Sequence, residues 1–114
     1  MEHILVIDDD AAIRELLSKI LSHSGYQVTV AQDGEEGIEL LKKNGQYKTV
    51  ITDISMPVKD GNDVAKYVKN SLYEKRIPVV GISGSIEDTE EELFDLFFQK
   101  PFRIMDLTYA IDSL

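Results

Sequence analysis

The chain has 114 residues, 43% of them hydrophobic, enough for one ordinary domain that buries roughly two thirds of its unfolded surface. It contains no cysteine, so disulfides and thiolate metal sites are excluded, and two histidines are too few for a zinc cage; any metal must be held by oxygen. With 21 acidic against 12 basic residues the net charge is −9, which opposes nucleic acid and anionic membranes as partners.

In chain order, Ile4 to Ile7 is the first of five short apolar, β-rich runs. Three aspartates follow, Asp8 to Asp10, and Asp10 is placed to cap a helix whose apolar face is Ile13, Leu16, Leu17, Ile20 and Leu21. Gly25 lies just past its end. The second run holds Val28 and Val30, and the next helix has Ile38 and Leu41 on one face and stops at Asn44 and Gly45. Val50 and Ile51 form the third strand, and Gly61 opens a helix carrying Val64, Tyr67 and Val68. Pro78 starts the fourth strand, Val79 to Ile82, at a position where a missing N–H is tolerated. Leu96 to Phe98 is the fifth. Near-continuous apolar strands alternating with amphipathic helices predict a three-layer α/β fold with a parallel sheet buried on both faces. The longest apolar runs are strand-sized and no signal segment opens the chain, so one domain over residues 1–114, with no output domain, in the cytoplasm, is expected.

In open sheets of this kind ligands bind beyond the carboxyl ends of the strands. The residues there are Asp8 and Asp9, Asp53, Ser83 and Lys100. Each has a plain structural alternative: helix capping for the triplet, loop capping for Asp53, strand termination for Ser83, an ordinary surface position for Lys100. Together they are more specific. Three carboxylates converging at neutral pH need protonation or a cation to relieve their repulsion, and magnesium, which takes oxygen ligands and keeps several waters, suits such a set plus a phosphate. A nucleophilic carboxylate, a cation site, the Lys100 ammonium and the Ser83 hydroxyl suffice for phosphoryl transfer, a reaction governed by positioning and charge neutralisation.

Asp8-Asp9 after the first strand, Asp53-Ile54-Ser55-Met56-Pro57 with Gly61 following, Ser83 after the fourth strand and Lys100-Pro101-Phe102 closely resemble the receiver domains of two-component response regulators. The resemblance covers almost the whole chain. It implies a doubly wound, flavodoxin-like sheet of order 2-1-3-4-5. It further implies that Asp53 is the phosphoacceptor and that Asp8, Asp9, Asp53 and the Ser55 carbonyl hold Mg2+, for which Mn2+ is a substitute. Lys100 and Ser83 would contact the phosphoryl group, and Ser83 and Phe97 would form the switch, Phe97 sitting inward as core. The Lys100–Pro101 bond is expected to be cis. The implied phosphodonor is a phosphohistidine on a sensor histidine kinase or a histidine phosphotransfer protein, with small acyl phosphates as substitutes. The implied readout is a conformational signal to a protein partner or output domain, and the only catalysis would be of the chain's own phosphorylation and dephosphorylation. Ser55 and Ser85 occupy the positions that tune phosphoryl lifetime.

One segment departs from the pattern. Residues 84–99, between Ser83 and Lys100, number 16, about five fewer than such domains usually carry. A crossover needs at least roughly 10 to 12 residues, so the connection remains feasible but its helix should be short or irregular. Thr89 and Glu92 have capping-box spacing, and Glu87, Asp88, Glu90, Glu91 and Glu92 make its start acidic. A changed face of fourth helix, fifth strand and fifth helix predicts non-standard output, with weak or no dimerisation there. Two other functions are weighed: a receiver serving only as a phosphorylation-independent interaction domain, and a Mg-dependent aspartyl-phosphate phosphohydrolase. The hydrolase lacks its second aspartate, Ser55 standing in that place. A flavin module would need a phosphate loop where the three aspartates lie.

Overall fold

A computed structural model describes residues 2–85 and 89–114. The sheet contains β1 (His3–Ile7), β2 (Gln27–Ala31), β3 (Thr49–Asp53), β4 (Val79–Ser83) and β5 (Leu96–Gln99), in the order β2-β1-β3-β4-β5 and parallel throughout. The helices are α1 (Ala11–His23), α2 (Gly34–Lys43), α3 (Gly61–Ser71) and α4 (Ile104–Asp112). This is the expected three-layer fold and strand order.

Period-two alternation in the strands builds two cores. Leu5, Ile7, Val50 and Val79 face α2 and α3, meeting Ile38, Leu41, Val64 and Val68. Ile4, Val6, Ile51, Val80 and Ile82 face the other way, onto Leu17 and Leu21 of α1 and Leu107 and Ile111 of α4. Because both faces are covered, the central strands are buried and carry the apolar runs Ile4 to Ile7, Val50 and Ile51, and Val79 to Ile82, with polar residues such as Thr49, Thr52, Asp53 and Ser83 towards their ends. Helix starts follow from their caps. Asp10 accepts hydrogen bonds from the Ala12 and Ile13 amides, and Asp33 accepts one from Glu36. Asp60 and Asp63 form a reciprocal capping box on α3.

The connection from β4 to β5 is the irregular part. Among the described residues it contains only a 3-10 turn, Glu91–Leu93. The capping box expected of Thr89 and Glu92 does not form: Glu90 precedes the turn without a side-chain bond, and the Thr89 hydroxyl has no partner among the described residues. The turn starts one residue later than that spacing requires, with Glu90 at its cap and the Leu93 amide bonded to the Glu90 carbonyl at 2.9 Å, and the Glu90 amide is taken by Asn62 Oδ1 of α3 at 3.0 Å. Lys66 of α3 pairs with the Glu90 carboxylate at 3.2 Å. Glu87 and Asp88, part of the expected acidic start, lie outside the described residues.

Phe94 completes the attachment. A Cβ placed on Gly81 would stand 2.9 Å from Phe94 Cδ1 and 3.1 Å from Ile54 Cδ1, so the bare glycine backbone is the floor on which that ring rests. Phe97 pairs in register with Gly81 but is half-buried and belongs to neither core. The ring that packs over Gly81, the one strand position without a side chain, is thus that of Phe94, itself half-buried, while Phe97 is not the core residue expected.

Candidate functional site

β1, β3 and β4 end at the same edge, and their register fixes the site. Ile7 pairs with Thr52, so Asp8 and Asp53 stand side by side just beyond that pairing. The chain turns at once after Asp8: the Asp10 amide donates to Asp8 Oδ1 at 2.9 Å, and Arg14 Nη1 donates to the Asp8 carbonyl at 2.7 Å. This turn ends the strand and lets Asp8 and Asp9 face one place. Ligand oxygens of Asp8, Asp9 and Asp53 lie within 4.8 Å of one another. Asp8 and Asp53 are buried and Asp9 is exposed.

Asp53 is held from several sides. The Ile54 amide donates to its Oδ1 at 3.0 Å, and the Thr52 hydroxyl donates to its carbonyl at 2.8 Å. The Gly61 amide bonds the Ile54 carbonyl at 2.9 Å, bringing the start of α3 so close that a Cβ on Gly61 would collide with the Asp53 carbonyl oxygen. A glycine is required there for α3 to abut the strand end.

Lys100 joins the cluster from β5. Its amide donates to the Ser83 carbonyl at 2.8 Å, and its Nζ lies 3.7 Å from Asp53 Oδ1. The Lys100–Pro101 bond is cis, as expected. Ser83 is buried at the neighbouring strand end, but its hydroxyl turns into its own loop, donating to the Ser85 carbonyl at 2.9 Å and accepting from the Ser85 amide at 3.1 Å. Ser55 is exposed immediately after Ile54. Phe97 stands apart from the carboxylates on β5, opposite Gly81. Arg14, Thr52 and Gly61 were not singled out by sequence as site residues. Arg14 had a signal, since a cation one turn into α1 reaches back to the strand end that precedes the helix.

The electrostatics follow from burial. Removal from water is the largest cause lifting the Asp53 carboxyl to about 6, with Asp8 adding repulsion and Lys100 opposing it. Burial likewise raises Asp8, partly offset by the Asp10 amide and Lys100. One lysine is too little positive charge for three carboxylates. An acidic set of this kind, two members buried and one open to solvent, fits a hard divalent cation, with the oxygen donors that magnesium prefers.

A doubly wound parallel sheet with three carboxylates and a lysine gathered at its carboxyl edge defines an α/β domain with a candidate cation-binding site there. Comparison with known proteins narrows the class. Residues 4–112 match the family described as "Response regulator receiver domain". The chain is 35% identical over 111 residues to the two-component response regulator ORR3 of Oryza sativa subsp. indica, covering 93% of this chain and 85% of that protein. It is 36% identical over 114 residues to the response regulator MprA of Mycobacterium sp. (strain KMS), covering 97% of this chain but spanning only 49% of that longer protein. The structure of the response regulator TrrA from Thermotoga maritima, in complex with Mg(2+)-BeF, superposes with a TM-score of 0.87 at 30% identity, covering 99% of this chain and 98% of that one. The chain thus belongs to the receiver domains of two-component response regulators.

Proposed function

We propose that Asp53 is the phosphoacceptor of this receiver domain, with Asp8, Asp9, Asp53 and the Ser55 carbonyl holding Mg2+ and with Lys100 and Ser83 contacting the transferred group. The convergence of three carboxylates with the Lys100 ammonium at 3.7 Å from Asp53 carries this reading. The cation, when bound, would neutralise charge on the phosphoryl oxygens. An ionised Asp53 oxygen attacks the phosphorus of a phosphohistidine; the P–O bond forms, the P–N bond breaks, and the imidazole leaves and takes up a proton. Lys100 balances the carboxylate before transfer and a phosphoryl oxygen after it. Ser83 must release Ser85 before its hydroxyl can reach the new group, so the loop after β4 is the first element to sense phosphorylation.

The donor is a sensor histidine kinase or histidine phosphotransfer protein, and small acyl phosphates replace it. Mn2+ also takes oxygen ligands and substitutes for magnesium. The catalysis is confined to the domain's own phosphorylation and dephosphorylation. The output is a conformational signal to a partner or output domain, and the irregular β4–β5 crossover supports a readout other than dimerisation through the α4–β5 face. Its place is the cytoplasm, where such kinases phosphorylate their targets; among the described residues no helix is long and apolar enough to cross a membrane.

Intact-mass measurement after incubation with acetyl phosphate and magnesium tests the reading. A gain of one phosphoryl group is expected for the native chain, and none for Asp53→Asn or with chelator. No gain in the native chain would overturn the phosphoacceptor role and leave a phosphorylation-independent interaction domain.

A further inference from the structure

A groove of about 380 Å³ lies at the opposite end of the sheet from the carboxylates. It is lined by Val68, Lys69 and Leu72 of α3, by Tyr73, Arg76, Ile77 and Pro78 before β4, and by Asp95 before β5. Its volume falls within the range of ligand sites, and its floor is apolar. The crossover meets α3 further along, where Glu90 contacts Asn62 and Lys66, and contributes Asp95 alone to the lining.

Charge at the rim selects the occupant. Asp95 is committed to the sheet: its Oδ2 accepts from the Val79 amide at 2.7 Å, and its amide donates to the Val79 carbonyl at 2.9 Å. The side chains of Lys69 and Arg76 form no ion pair or hydrogen bond among the described residues, although the chain carries nine net negative charges. Arg76 is held at a left-handed φ of 52°, and Tyr73 is 67% exposed beside it. Tyrosine and arginine beside an apolar pocket are the residue types that carry interface energy. A polyanion or an anionic membrane would meet the repulsion of the whole acidic surface, whereas a short peptide feels mainly charges within about 10 Å.

We propose that this groove docks an acidic segment of a partner protein, in which a large apolar side chain enters between Leu72 and Ile77 and flanking carboxylates meet Lys69 and Arg76. The surface lies away from Asp53 and does not depend on its phosphorylation.

The test uses the full isotope-labelled chain and two blocked hexapeptides, acetyl-Asp-Glu-Leu-Phe-Asp-Glu-amide and its neutral counterpart acetyl-Asn-Gln-Leu-Phe-Asn-Gln-amide, followed by amide NMR. Expected are saturable shifts at Leu72, Tyr73, Arg76, Ile77 and Asp95 with the acidic peptide, and at least tenfold weaker binding of the neutral one. Lys69→Glu with Arg76→Glu should lose the acidic peptide at least tenfold with an unchanged melting temperature. If charge reversal unfolds the chain, Lys69→Gln with Arg76→Asn serves, since asparagine tolerates the left-handed backbone, and a severalfold loss is expected. No saturation, equal affinity for both peptides, shifts confined to another surface, or shifts that follow protein rather than peptide concentration would each overturn the proposal.

Discussion

Replacing Asp53 by asparagine should stabilise the metal-free protein, and by an amount that depends on pH. In the native state the carboxyl is raised from 3.8 to about 6, chiefly by burial. Between those values the folded chain holds a proton that the unfolded chain has released, so stability is fullest below the unfolded value and is lost as pH rises through about 6. The full loss above both values is about 3 kcal/mol, at 1.36 kcal/mol for each pH unit of the shift. Asparagine keeps an oxygen for the Ile54 amide but carries no charge, so it escapes that loss. The variant should exceed the native chain by about 3 kcal/mol at about pH 7.5 and by roughly half that at about pH 5. At roughly 4 °C per kcal/mol the larger difference is about 12 °C in melting temperature. Thermal and urea unfolding at the two pH values, with chelator present, measure both. An equal gain at the two pH values, or no gain at the higher, would refute the argument that a buried carboxylate is being ionised at a cost.

Magnesium at ten times its dissociation constant should stabilise the native chain by about 1.4 kcal/mol, roughly 6 °C in melting temperature, and Asp8→Asn should remove most of that rise in a thermal-shift titration. Lys100→Met takes away the charge that favours ionisation of Asp53, so the Asp53 titration followed by carboxyl NMR should move upward from about 6; a downward move would contradict the placement of Lys100. Gly81→Val drives a side chain into Phe94 and should destabilise by about 1–3 kcal/mol in urea unfolding, with Phe94→Leu in the same chain recovering part of the loss. Asn62→Ala leaves the Glu90 amide without its acceptor and should cost about 1 kcal/mol, read by the same method.

Strand positions and the gathering of Asp8, Asp53 and Lys100 were legible in the sequence because a parallel sheet imposes uninterrupted apolar runs and polar residues at one common edge. Helix caps were legible for Asp10 because an N-cap is a local interaction. What failed was tertiary. Phe94 and Phe97 are both aromatic residues close to β5, and only the crossover's path over Gly81 decides which ring fills the space. The Thr89–Glu92 spacing suits a helix cap, but capping needs a helix, and the bond from Asn62 to Glu90 holds the backbone elsewhere. The closing helix, with Leu107 and Ile111 one turn apart, carried a signal in its spacing that the strand-end reasoning passed over. Arg14 binds a carbonyl, so its only signal was its place one turn into α1, with no complementary side chain to pair it with in the sequence.

Residues 84–99, which link Ser83 to Lys100, illustrate how cheaply such a chain can be remodelled. Loop-closure entropy grows only with the logarithm of length, so half as many residues again would cost roughly 0.4 kcal/mol. That is too little for folding stability to hold the segment at one size. Its length is thus free to vary with whatever the surface beside α3 has to meet, and insertion or deletion there changes the surface presented to other molecules while leaving the scaffold of the carboxylate cluster in place.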